Sequence, residues 1–159
     1  MILYSCRWSG QAGGGDVTGA IGVVRESGMV LTVQALLIFV ILDLGVRLYG
    51  LPRVCRSLQR WSGRRHTITE LKTPPPVVAR TVKAVRRATR YYWRSRLDCL
   101  PRSMTIYLLL RGCSIPATLH IGVKRYPFGA HAWVECLGSV LDDSAHTQRH
   151  ERYSPIIST

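Results

Sequence analysis

A thiol, an imidazole and a carboxylate follow one another in this chain as Cys99, His131 and Asp143, with Asp142 beside the last. Together these groups make a cysteine nucleophile, a histidine base and an acid that orients the imidazole. Cys99 opens the apolar helical stretch Cys99-Leu100-Pro101-Arg102-Ser103-Met104-Thr105-Ile106-Tyr107-Leu108-Leu109-Leu110. The unpaired N–H groups of a helix start favour an anion, and the thiolate is the reactive form of cysteine. His131 opens the strand-like run His131-Ala132-Trp133-Val134-Glu135, after the small residues Gly129 and Ala130. Asp142 and Asp143 end the next apolar run. A hairpin turning at Leu137-Gly138 returns them alongside His131, and spacing alone does not choose between the two.

The other cysteines and histidines have weaker settings. Cys113 follows the end of the predicted helix, where the dipole disfavours an anion. Cys136 lies five residues from His131 on one strand, so the two point to opposite faces. The five cysteines, which include Cys6 and Cys55, show no CxxC spacing. Their odd number argues against a closed disulfide framework and for a reducing cytosol. Cys and His are too scattered for a metal site, and no metal or cofactor is expected. His120, also on a predicted strand, is the one rival to His131. His66, His146 and His150 have no comparable context.

These groups need a scaffold, and 159 residues with 47% hydrophobic content suffice for one domain with its own core. Residues 1–28 are Gly-rich, without apolar periodicity. They read as a flexible tail or as preceding a true start near Met29. In residues 29–60 an apolar helix leads into a basic one. Val30 to Leu42 is uncharged but shorter than the roughly 20 residues a bilayer crossing needs. A buried or interface helix is expected there. A peripheral membrane helix is the intermediate reading, because Arg47, Arg53, Arg56 and Arg60 follow and suit an anionic lipid surface. Pro52 is expected to end or kink the helix.

Residues 61–76 read as a linker carrying Pro74-Pro75-Pro76, and residues 77–159 as the catalytic core. Val78, Val82, Val85 and Tyr92 recur at helical spacing among Arg80, Lys83, Arg86, Arg87, Arg90 and Arg94, which predicts an amphipathic helix with a basic outer face. The next helix runs from Cys99 to about Arg111, with Asp98 as N-cap, Pro101 in its first turn and Gly112 as its stop. Strands are predicted at 117–123, 130–136 and 139–141, with turns at 126–129 and 137–138. Helices first and a small antiparallel sheet after them make an α+β domain.

The formal charge of +13 is uneven. Thirteen Lys or Arg and one acid, Glu70, fall between Arg53 and Arg96, whereas residues 97–159 are nearly neutral. The basic block therefore reads as a partner-facing element, separate from the chemistry. A nucleic-acid-binding module, with Tyr91-Tyr92-Trp93 stacking on bases, is the rival from another class.

The segments Cys99-Leu100-Pro101-Arg102-Ser103, Gly112-Cys113-Ser114-Ile115-Pro116-Ala117, Leu119-His120-Ile121-Gly122-Val123 and His131-Ala132-Trp133-Val134-Glu135 resemble the lasso peptide biosynthesis B proteins, in their transglutaminase-like leader-peptidase domain. The resemblance spans about Val30 to Ile156. It implies a papain-like, transglutaminase-like cysteine peptidase with Cys99 as nucleophile, His131 as base and Asp143 as orienting acid. It implies that a leader is cut from a ribosomally made precursor so that a cyclase can close the core peptide. The partners implied are the precursor, a separate small leader-binding protein and the lasso cyclase, with no nucleic acid. The place of action is cytoplasmic, with peripheral membrane contact open to the first helix. Acyl transfer to an amine on the same triad is the second enzymatic reading.

Overall fold

A computed structural model of the chain describes residues 28–63, 74–91, 99–125, 128–141 and 154–158. Four helices precede the sheet: α1 (Gly28–Tyr49), α2 (Leu51–Gly63), α3 (Pro76–Tyr91) and α4 (Cys99–Gly112). The strands are β1 (Thr118–Lys124), β2 (Gly129–Cys136), β3 (Ser139–Leu141) and β4 (Ser154–Ser158). They form one sheet in the order β3-β2-β1-β4, antiparallel at every pairing. The α+β expectation is met.

Helix α4 is the hub. It is apolar around most of its circumference, and Met104, Thr105, Ile106, Tyr107 and Leu110 are all buried. Such a helix must be enclosed on several sides. It packs against α1, α3, β1 and β2. Each large apolar side chain fully buried there contributes roughly 1.5–3 kcal/mol. The polar Thr105 is accommodated because its Oγ1 donates to the Pro101 carbonyl at 2.7 Å. Pro101 lies in the first turn, where a missing N–H leaves no helical bond unmade.

The end of α4 differs from expectation. Gly112 is still helical, and the left-handed residue is Ser114, at φ 60°. Ile115 N–H donates to the Leu110 carbonyl (3.0 Å) and Ser114 N–H to that of Arg111 (3.1 Å). This is the Schellman pattern, and Ile115 is buried in the same core as Leu110, as the motif favours. Burial of Ile115 thus sets the stop, not the nearest glycine. Arg111 adds a tie between helices, because its Nη2 donates to the Ser62 carbonyl near the end of α2 at 2.9 Å.

The first helix also differs. It is 22 residues long and buries only Ala35, Phe39 and Leu42. Leu37, Ile41 and Leu48 are 59%, 64% and 65% exposed, so α1 is not a core helix. By length and composition it could cross a membrane. It stops at Gly50, whose φ of +78° no continuing helix can use. Pro52 then lies in the first turn of α2 and starts a new helix. Helix α2 buries Cys55, Leu58 and Ser62 and exposes Arg53, Arg56 and Arg60. Helix α3 buries Val78, Thr81, Val85 and Ala88 against exposed Arg80, Lys83, Arg86, Arg87 and Arg90. Tyr92, Asp98 and most of the 61–76 linker lie outside the described residues.

In the sheet, Leu119 and Ile121 of β1 share a buried face with Ala132, Val134 and Cys136 of β2. The β2–β3 hairpin turns through Leu137 (φ 50°) and Gly138 (φ 74°), both positive as a type I′ turn requires. Strand β4, which the sequence reading did not anticipate, pairs with β1 across a register shift at Ile121/Gly122.

Two substitutions test these backbone assignments. Ser114→Gly should stabilise the fold by about 0.5–1 kcal/mol by relieving a left-handed side chain. Gly138→Ala should cost about 1–2 kcal/mol, because nothing lies within 4 Å of the added methyl and only the backbone objects. Thermal melts should move by a few degrees in opposite directions.

Candidate active site

Cys99 is the first residue of α4 and is half-buried. One turn later on the same side of the helix, Ser103 Oγ donates to the Ala132 carbonyl at 2.9 Å, a buried bond. Ala132 immediately follows His131. The start of α4 is therefore fastened to β2 beside the histidine. Burial pushes the Cys55 and Cys136 thiols up from their ordinary value and makes both poor nucleophiles at neutral pH. Cys136 lies on the core face of β2, as alternation requires. Cys113 sits at the far end of α4, where the helix presents carbonyls.

His131 is half-buried and projects from the face of β2 opposite Ala132. Its ring lies 6.0 Å from that of Trp133, with 17° between the planes. The cross-strand partner of His131 is Gly122, which offers no side chain. Preceding it, Gly129 is half-buried and Ala130 exposed, so the strand is slender at this end. Asp142 and Asp143 lie outside the described residues. Strand β3 runs antiparallel to β2 and reaches Leu141, opposite Val134, just before them.

The same face holds His120, the one rival to His131 in the sequence. His120 of β1 is paired across the strands with Trp133, and their rings stack at 5.4 Å and 18°. Its Nε2 lies 3.1 Å from Glu135 Oε2 and its Nδ1 3.0 Å from Ser158 Oγ. The carboxylate accepts from Nε2–H, which leaves Nδ1 to accept from the serine hydroxyl in the neutral ring. The legible signal was the β1–β2 hairpin. With Thr118 opposite Glu135, His120 falls within reach of Trp133 directly and of Glu135 diagonally. Ser158 required knowledge of β4.

Two surface hollows lie apart from these groups. One, of about 600 Å³, runs between Pro74–Pro76, α3 and β3, with Val78, Val82, Val140 and Leu141 along it and Lys83 and Arg86 at its rim. The other, of about 300 Å³, lies among Arg53, Arg56, Ser57 and Arg60. Among the described residues, neither is lined by a thiol, an imidazole or a carboxylate.

Comparison with known proteins gives the family. The model for the transglutaminase-like superfamily matches residues 36–158. The Microcin J25-processing protein McjB of Escherichia coli is 43% identical over 47 residues, which cover 30% of this chain and 23% of that protein. The match thus spans less than a quarter of the relative's length. No solved structure matches significantly. With a family model covering most of its length and an α4–β2 core beneath its cysteine and histidine, the chain belongs to the transglutaminase-like superfamily.

Proposed function

We propose that this chain is a cysteine peptidase that removes the leader from a ribosomally made lasso peptide precursor. The observation that supports it most is the joint between the two key segments. The helix that begins with Cys99 is hydrogen-bonded, one turn in, to the residue next to His131. Membership in the superfamily and the similarity to a protein named for processing microcin J25 point the same way.

In the proposed reaction the Cys99 thiolate attacks the carbonyl at the leader–core junction. A sulfur–carbon bond forms, and the oxyanion takes a hydrogen bond from backbone N–H at the start of α4. His131 holds the thiol proton and passes it to the leaving amine as the C–N bond breaks. Water then hydrolyses the thioester, with His131 as base. Asp143 is assigned the orientation of His131 and the stabilisation of its charged form. The substrate reaches this centre at the slender Gly129–Ala130 end of β2. A separate leader-binding protein presents the precursor, and the cyclase takes the product.

The exposed side of α1 fits an anionic membrane surface. Its apolar residues Val33, Leu37, Ile41, Leu44 and Leu48 stand outward. The helix that follows exposes Arg53, Arg56 and Arg60, which match acidic headgroups. This reading makes the enzyme a peripheral protein of the cytoplasmic leaflet.

Purified chain with precursor and leader-binding protein should release leader, as read by mass spectrometry. Cys99→Ala should lower the rate on the order of 10³-fold or more. Undiminished cleavage by Cys99→Ala ends the peptidase reading, and incorporation of an added amine into the product would redirect it to amine-accepting chemistry. Separately, the chain should sediment with phosphatidylglycerol vesicles but not with phosphatidylcholine ones. The double variant Leu37→Glu, Ile41→Glu should lose this binding without a lower Tm. No sedimentation, or a dimer in light scattering that the double variant dissociates, would overturn the membrane assignment.

A further inference from the structure

The imidazole proposed as base belongs to a cluster of three rings. Both imidazoles stack on the Trp133 indole in nearly parallel planes, His120 at 5.4 Å and His131 at 6.0 Å between ring centroids. Trp133 is only 7% exposed, so its ring is enclosed. His120 is the better anchored of the two histidines that stack on it. One nitrogen meets Glu135 of β2 and the other meets Ser158 of β4, while its backbone belongs to β1. Three strands thus converge on a single imidazole. Hydrogen bonds at both nitrogens restrict the rotation of an imidazole, and a ring stacked upon it is restricted in turn.

We propose that His120 is a positioning residue: held by Glu135 and Ser158, it braces Trp133, and through the indole it fixes the orientation of the His131 ring. It does not touch substrate or exchange a proton in the reaction. The proposal rests on His131 being the base. It adds that the base is held from the sheet side by stacking, in addition to whatever acid hydrogen-bonds it.

The geometry separates two contributions of His120. The flat ring presses on Trp133, and the nitrogens tie that ring to β2 and β4. His120→Phe keeps the first and removes the second. His120→Ala removes both. Glu135→Gln and Ser158→Ala weaken the ties and leave the ring. Misorientation of a general base by a fraction of an ångström to one ångström costs rate rather than affinity, because the ground-state peptide does not depend on the imidazole.

The test combines leader-release kinetics with NMR of the His131 ring in chain labelled at histidine. His120→Ala should lower kcat between about ten- and a hundredfold with KM within about twofold of the parent. The His131 ring resonance should broaden or split as the ring samples more than one rotamer. His120→Phe should restore most of kcat and a single His131 resonance. Glu135→Gln and Ser158→Ala, which keep the ring and one tie each, should fall between His120→Phe and the parent. An unchanged kcat and an unchanged His131 resonance in folded His120→Ala would overturn the proposal. So would a His120→Phe protein as impaired as His120→Ala. Should His120→Ala fail to fold, the Phe, Gln and Ser158→Ala variants decide by the same readouts. If the parent chain releases no leader, the peptidase reading falls, and the His131 resonance still decides the brace.

Discussion

The enclosure of α4 is the constraint on which the rest depends. A helix with buried Met104, Ile106, Tyr107 and Leu110 on different sides has no face to give to water. It must be covered by the sheet and by α1 and α3, and the covering elements then have little choice of place. Its first residue is Cys99, so whatever fixes α4 also fixes the thiol. The Ser103–Ala132 hydrogen bond makes the same point at atomic scale. It is buried, it joins side chain to backbone, and it ties the first turn of the hub to the histidine strand. Loss of the serine hydroxyl would leave a buried carbonyl without this donor.

Much of this was legible because it is local. The α4 pattern, the alternation of β1 and β2 and the Leu137-Gly138 turn all lie within windows where periodicity and turn chemistry act directly. Cys99 at a helix start and His131 at a strand start followed from the same windows. What was not legible depends on partners distant in sequence. The stop at Ser114 is set by the burial of Ile115, which needs the assembled core. Strand β4 is five residues, Ser154 to Ser158, with a proline at its second position, and it gains its identity from the edge of β1. His120 looked like an isolated imidazole because its two polar partners are 15 and 38 residues away. For α1, expected as a buried or interface helix, only one face is covered. Apolarity predicts removal from water, but it does not say whether the cover comes from the same chain.

That distinction divides the molecule into two chemistries. On α1 and α2, apolar and cationic side chains face outward and invite a surface or a partner. On the β1–β2 face, imidazoles, an indole and a carboxylate are gathered, and His120 is hydrogen-bonded to the carboxylate. The basic helices α2 and α3 carry exposed charge, while the sheet carries polar groups at short range. A cationic exterior raises the local concentration of acidic partners, an effect screened over about 10 Å at ordinary salt.

The two ends of α4 argue the nucleophile most directly. The same helix presents Cys99 at its start and Cys113 just past its end, both half-buried and both in one domain. Solvent exposure therefore does not separate them. The helix does. Its first turn offers unpaired N–H groups, equivalent to roughly half a positive charge, and its last turn offers carbonyls of the opposite sign. Cys99 stands at the end with the N–H groups, and Cys113 at the end with the carbonyls. Moreover, the C-terminal end is already committed: Cys113 N–H is 3.2 Å from the Leu109 carbonyl and 3.0 Å from that of Leu110, and Arg111 is spent on Ser62. The N-terminal end adjoins the histidine strand. Direction along one helix, together with the strand fastened to it, is what distinguishes two cysteines that composition and exposure leave alike.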